Sequence, residues 1–121
     1  RNRLTRLFQK KADEWNTVFL ITGKEDMIVS KDECFFVQNG SPAMANITGT
    51  GCMLGMVCAS YLASASNAFN AALTSTVEFG IAGELAAKKT TAPGSFQVQL
   101  LDSFYQLTEA KRDSLAKIIV Y

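Results

Sequence analysis

Hydrophobic residues recur every three or four positions near both ends of the chain, which is the spacing of one face of a helix. In the segment Arg3–Glu14 these positions alternate with arginine and lysine, which predicts an amphipathic helix. A second amphipathic helix is predicted after Ser95, whose hydroxyl can cap its first turn. The apolar positions that define the two helices are Leu4, Leu7, Phe8, Ala12, Phe96, Leu100, Phe104 and Leu107.

Short apolar runs separated by polar turns predict strands. The run Val18–Ile21 is uninterrupted, as in a strand buried on both faces of a sheet that helices cover. Met27–Val29 and Cys34–Gln38 follow after turns of a few residues, so the runs predict an antiparallel meander at the end of the sheet. A last strand is predicted at Lys117–Tyr121.

The middle of the chain carries no charged residue between Glu33 and Glu78. Its longest strongly apolar part, Met53–Ala65, is too short to cross a bilayer core of about 30 Å, so buried helices are expected rather than a membrane span. One helix should begin near Gly51 or Cys52 and end near Ala65. It is apolar on nearly every side, which predicts a central position in the fold.

A longer helix is predicted next, over Ala68–Lys89, with Ser66 or Asn67 as its cap. Glu84 and Lys88 stand one turn apart in its second half, which indicates a face turned to water there. The pattern of strands, loop, helices and terminal strand favours a layered α/β fold.

Composition narrows the function classes. The chain has 121 residues, of which 48% are hydrophobic and 19% charged, as expected for one globular domain. A net charge of +1 gives no reason to expect a nucleic acid or an anionic membrane as partner. The absence of histidine excludes Ser-His-Asp and Cys-His catalysis within this chain. The three cysteines lack metal-ligand spacing, so free thiols in a reducing cytoplasm are expected.

The candidate chemistry lies in the glycine loop NITGTGCMLG, Asn46–Gly55, directly before the central helix. Free amides at a helix N-terminus, approached closely through glycines, make a cup for an anion such as a phosphoryl group. No lysine follows Gly55, as a P-loop would require. Leu54 stands where a dinucleotide fingerprint needs its third glycine.

Cys52 ends this loop at the start of the helix. Thiols at helix N-termini ionise more readily than free cysteine, so this one could orient or deprotonate a substrate hydroxyl. The alternative is a small hydrophobe that fills space. For Cys34, in a strand, and Cys58, deeper in the helix, the space-filling interpretation is favoured.

Three motifs together resemble the hydroxyethylthiazole kinase family: ITGKED (Ile21–Asp26), NITGTGC (Asn46–Cys52) and APGSF (Ala92–Phe96). The likeness covers essentially the whole chain but corresponds to the C-terminal half of the family's sequence. It implies a ribokinase-like three-layer α/β/α sandwich, of which residues 1–121 would form the C-terminal portion, with a short mixed sheet, a meander and several helices. The chain also begins within a helical pattern and without methionine, so a fragment of a longer protein is expected.

The resemblance implies ATP-dependent phosphorylation of the primary alcohol of 4-methyl-5-(2-hydroxyethyl)thiazole in thiamine salvage, with Mg²⁺. Related kinases carry Gly-x-Gly-Asp with a catalytic aspartate, and Cys52 takes that place here. Gly49, Thr50, Gly51 and Cys52 would form the anion hole, Gly49 would also contact the thiazole, and Thr22 would bind ATP.

The family likeness also implies what this chain lacks. It places the magnesium ligands in an N-terminal half outside the chain, so no metal ligand is assigned here. It implies a cytoplasmic homotrimer with active sites at subunit boundaries. Lys24 stands where the family usually has a glutamate.

Two other functions stay open from the sequence. One is another ribokinase-like kinase, acting on hydroxymethylpyrimidine or a sugar alcohol. The other is a catalytically silent fragment that serves as an assembly partner, because a half-domain exposes apolar surface.

Overall fold

A computed structural model describes residues 2–121. The strands are β1 (Phe19–Ile21), β2 (Asp26–Val29), β3 (Cys34–Val37) and β4 (Ile118–Val120). The helices are α1 (Asn2–Trp15), α2 (Thr50–Leu62), α3 (Ala68–Lys89), α4 (Pro93–Gln106) and α5 (Glu109–Leu115). A short 3-10 helix, Pro42–Asn46, lies between β3 and α2.

The four strands form one sheet in the order β1-β2-β3-β4, and every pair is antiparallel. The meander is confirmed, whereas the expectation of a mixed sheet is wrong for residues 2–121. The first three strands are joined by turns too short for a parallel crossover. The start of β4 is held at the end of β3, because Gln38 N donates to Lys117 O at 2.9 Å, so β4 runs back along β3.

β1 is an edge strand and only half-buried, so the prediction that it is buried on both faces is wrong for this chain. Only β2 pairs with it among the strands of residues 2–121. Its outer edge therefore has no strand partner within that range.

The strands alternate between the two faces of the sheet. Met27 and Val29 of β2 point to the side where Phe8 of α1 packs. Ile28 points to the other side and packs with Phe69 and Ile81 of α3. This arrangement gives the layers α1, sheet and α3, and confirms the predicted α/β/α architecture.

α3 is the central helix of the fold, with one side against the sheet and another against α4 and α2. The contacts with α4 join Phe79 to Phe96 and Leu100 in one buried cluster. The bounds of α3 are those predicted, and Asn67 caps it by accepting a hydrogen bond from Asn70 N at 2.8 Å.

α2 does not have the central position that its sequence predicts. Leu54 is its only buried residue, whereas Met56 is 73% exposed. The helix packs against α3 along one side, and no element of residues 2–121 covers its outer side. Apolar composition thus predicted the helix but not its surroundings.

The last two helices also differ from the prediction. α4 begins at Pro93 with Ala92 as N-cap, not at Ser95, because proline is favoured in the first turn, where its missing N–H costs nothing. α5 was not predicted; Thr108 caps it by accepting from Lys111 N at 3.2 Å. Of the helices described, none has both the length and the apolarity that crossing a membrane requires.

Candidate functional site

A cleft of about 740 Å³ opens where three segments meet over α3. One wall is the turn after β1, another is the segment that follows β3, and the third is the N-terminus of α2. Thr22, Gly40, Thr50 and Gly51 line these walls, and Gly80 of α3 lies beneath them. Its volume falls in the range of small-molecule sites.

The turn after β1 is stabilised from within. Gly23 N donates to Asp26 Oδ1 at 3.0 Å, which closes the turn that carries Thr22 and Lys24 into the cleft. Burial raises the pKa of Asp26 above its ordinary value, and the hydrogen bond from Gly23 opposes that rise. Lys24 contributes a cation to the same wall.

The N-terminus of α2 has the form that an anion site needs. Gly49 adopts a left-handed conformation, with φ 94° and ψ 7°, and no side chain caps the helix. Met53 N donates to Gly49 O at 2.9 Å, so the amides of Thr50, Gly51 and Cys52 precede the first helical hydrogen bond. These amides and the helix dipole together favour a negative charge at this end.

Cys52 is free and exposed in the first turn of α2. It fills no packing space, unlike Cys34, which is buried against Thr5 Oγ1 at 3.8 Å. Cys58 is half-buried against the cluster between α3 and the sheet. The space-filling interpretation therefore holds for Cys34 and Cys58 but does not describe Cys52.

The structure brings three of the predicted site residues into one cleft: Thr22, Thr50 and Gly51. Gly49 and Cys52 flank Thr50 and Gly51 in the loop, but neither is part of the cleft lining within residues 2–121. Cys52 follows Gly51, which lines the cleft, in the first turn of α2.

The acidic side chains of residues 2–121 do not form a metal-ligand cluster. Residues 2–121 contain no group of three or more His, Cys, Asp or Glu side chains placed to hold a metal ion.

Sequence reasoning missed Asn39 and Glu84. Glu84 was expected to pair with Lys88 at a solvated face, but its Oε1 accepts from Gly40 N at 3.1 Å and from Asn39 Nδ2 at 3.2 Å. It also pairs with Lys117 Nζ at 3.0 Å. A usable signal was present: Gly80 and Gly83 share its helix face and indicate a close approach of another segment.

The fold and the cleft define a class, the α/β proteins with a small-molecule cleft at a helix N-terminus. The sequence model of the hydroxyethylthiazole kinase family matches residues 1–110. The chain belongs to the hydroxyethylthiazole kinase family.

Individual relatives agree with this assignment. A hydroxyethylthiazole kinase of Clostridium tetani is 43% identical over 115 residues, which cover 93% of this chain and 42% of the relative. One from Clostridium kluyveri is 39% identical over 107 residues, covering 88% of this chain and 40% of the relative. The chain thus spans less than half the length of the curated relatives it matches.

A solved structure supports the fold. The hydroxyethylthiazole kinase protein of Pyrococcus horikoshii OT3 superposes with a TM-score of 0.92 at 32% identity. The match covers 99% of this chain and 47% of that chain. It confirms the predicted α/β fold.

Proposed function

We propose that the complete protein containing this chain transfers the terminal phosphoryl group of ATP to the primary alcohol of 4-methyl-5-(2-hydroxyethyl)thiazole, in thiamine salvage. One observation carries the proposal: the uncapped N-terminus of α2 and the Thr22 turn open into the same cleft. Family membership indicates which alcohol is phosphorylated.

Each predicted residue has a task in this scheme. The hydroxyl and amide of Thr22 donate to phosphate oxygens of ATP from the turn after β1. The amides of Gly49, Thr50, Gly51 and Cys52 form the anion hole for the phosphoryl group during its transfer. Donors that are already in place stabilise such a charge without reorganisation. Gly49, in its left-handed conformation, also contacts the thiazole.

Cys52 is the proposed catalytic residue. The alcohol oxygen attacks the terminal phosphorus of ATP, the bond from that phosphorus to the bridging oxygen breaks, and ADP leaves with the bond's electron pair. The hydroxyl proton passes to Cys52 Sγ, or stays oriented by it until late in the transfer. The exposed position of the thiol, one residue after the cleft residue Gly51, is compatible with either role.

The remaining parts of the site belong to the rest of the protein. We propose that residues 1–121 are the C-terminal half of one kinase domain, and that an N-terminal half supplies the Mg²⁺ ligands. The unpartnered edge of β1 and the uncovered side of α2 support this. By family likeness we also propose a homotrimer. The three free cysteines are compatible with the cytoplasm.

The test uses the complete protein with ATP and the thiazole alcohol, and compares hydroxymethylpyrimidine and a sugar alcohol as acceptors. Cys52→Ala should lower kcat by about 100-fold or more, the range of general acid–base contributions. Cys58→Ala, in the same helix, is the matched control and should keep its activity. Circular dichroism checks that both variants are folded.

The outcomes separate the alternatives. Equal turnover of Cys52→Ala and the unsubstituted protein removes the thiol from the mechanism. Faster turnover of the pyrimidine or the sugar identifies a different kinase of the same fold. Failure to phosphorylate any of these alcohols refutes the kinase proposal and leaves the assembly role.

A further inference from the structure

We propose that Glu84 is a positioning residue, which holds the cleft wall formed by Asn39–Met44 in the geometry that binds the nucleotide. The inference rests on the proposed kinase function, because its kinetic test measures KM for ATP. It assigns a role to a side chain that does not line the cleft, although the wall it holds does.

The wall lies directly on α3 because two glycines let it approach. A Cβ atom on Gly80 would lie 2.8 Å from the backbone and Cβ of Asn39, closer than real Cβ atoms come. A Cβ on Gly83 would collide with Met44 Sδ. Gly80 and Gly83, with Glu84 beside them, form a face of α3 that we call the α3 seat.

Glu84 bonds this wall to the seat. Its Oε1 accepts from Gly40 N at 3.1 Å and from Asn39 Nδ2 at 3.2 Å. Asn39 is only 5% exposed, and its amide group also bonds Leu115 O at 2.9 Å and Lys117 N at 2.8 Å. Buried amides with such partners strongly favour one orientation. The wall is therefore held from both sides.

The held segment leads to the anion hole. Asn39, Gly40 and Met44 all line the cleft. Gly40 has φ 141°, a conformation that residues with side chains rarely adopt and that glycine permits. Met44 O in turn accepts from Thr50 Oγ1 at 3.3 Å, and Thr50 is the first residue of α2. A continuous set of contacts thus joins Glu84 to the helix terminus.

Glu78 provides a matched control on the same helix. Its side chain is 15% exposed and that of Glu84 is 17%, and each pairs with one basic residue. Glu78 accepts from Tyr61 Oη at 2.5 Å and from Arg112 Nη1 at 3.3 Å. It lines a different pocket, so it shares the helix and the chemistry of Glu84 but not the cleft wall.

The test measures steady-state kinetics of Glu84→Ala, Glu84→Gln and Glu78→Ala in the complete protein. Glu84→Ala should raise KM for ATP about tenfold and leave kcat within about twofold, since the wall binds ground and transition states alike. Glu84→Gln keeps an oxygen acceptor for Gly40 N and should raise KM only about twofold. Glu78→Ala should lower the melting temperature without changing KM.

Hydrogen exchange of the ligand-free protein measures how firmly the Asn39–Met44 wall is held, without any substrate. The amides of Gly40, Ser41 and residues 43–45 should exchange faster in Glu84→Ala than in Glu78→Ala. If Glu84→Ala does not fold, Glu84→Asp replaces it; the shorter side chain keeps the charge but loses reach to Gly40 N, and both effects should appear in weaker form.

Two results would overturn the inference. One is a loss of stability in Glu84→Ala with the same KM as Glu78→Ala; the other is equal exchange of the wall in these two variants. If the unsubstituted protein does not use ATP, the proposed function fails, and the exchange comparison still decides whether Glu84 holds the wall.

Discussion

The two helices α2 and α3 are neighbours in the chain and pack against each other, yet their surroundings differ completely. Twelve residues of α3 are buried, whereas Leu54 alone is buried in α2. Both start within the stretch that carries no charge. The comparison shows that an apolar helix sequence predicts a need for packing partners but not where those partners come from.

The difference follows from position. α3 lies between the sheet and α4, so the chain itself encloses it. α2 lies outside α3, and its residues Met56 and Leu62 are exposed. The buried helix therefore serves as the platform, and the uncovered helix places the proposed chemistry at its N-terminus.

The largest expected effect is on the platform. Phe79→Ala removes a buried ring that packs edge-on against Phe104 and belongs to the buried cluster with Phe96 and Leu100. It should lower the free energy of unfolding by about 3–5 kcal/mol, the cost of deleting a buried aromatic side chain. Urea denaturation of the complete protein measures this loss. Tyr105→Ala, at an 89% exposed position in α4, is the control and should change little.

Glycine replacement compares the helices directly. A methyl group at Gly80 of α3 meets the Asn39 backbone, so Gly80→Ala should cost about 1–3 kcal/mol through overpacking. A methyl at Gly55 of α2 meets nothing within 4 Å among the described residues. In the 121-residue chain Gly55→Ala should instead stabilise by about 0.5–1 kcal/mol, since alanine favours helix.

Denaturation of the two alanine variants gives opposite signs if α2 is uncovered in the protein as it is in this chain. A loss of stability in Gly55→Ala would contradict that and show that another part of the protein contacts α2 there. A neutral Gly80→Ala would mean that the Asn39 wall moves aside easily.

Much of the platform was predictable from local signals. The bounds of α3 follow from the Asn67 cap and from the Thr90–Pro93 break, and the meander follows from its short turns. The glycine loop identified the helix terminus that lines the cleft, because glycine and threonine directly before an apolar run are typical of a loop that leads into a helix. These signals lie within a few residues of the feature they predict.

The errors concern contacts between distant segments. α5 has no buried residue, so no apolar period marks it. The partners of Glu84 are 33 to 45 residues away in the chain, and sequence spacing pointed to Lys88 instead. The exposure of α2 depends on what lies outside this chain. Such features need the folded arrangement, not the local pattern.

A smaller effect is expected where the two helices are joined. Tyr61 of α2 donates to Glu78 of α3 at 2.5 Å, so Tyr61→Phe should cost about 1.5–3 kcal/mol, the range for hydrogen bonds to charged groups. Burial first, and then the hydrogen bond to Glu78, raise the pKa of Tyr61 above its ordinary value.

This shift gives the bond a pH dependence with a definite sign. A raised pKa in the folded state favours the neutral phenol, so its contribution is present below about pH 10 and is lost as pH rises further. Unfolding free energies should fall less steeply above about pH 10 in Tyr61→Phe than in the unsubstituted protein. If the unfolding free energies of the two proteins fell equally steeply above about pH 10, Tyr61 would not be the cause of this dependence.

The smallest expected effect tests the uncovered side of α2. In the 121-residue chain Met56 is 73% exposed, so Met56→Ala should change the free energy of unfolding by less than about 0.5 kcal/mol. In the complete protein the same change should cost about 2 kcal/mol or more if an N-terminal half or a neighbouring subunit covers this side. Equal small effects in both would mean that α2 stays open to solvent, and would remove one support for the half-domain proposal.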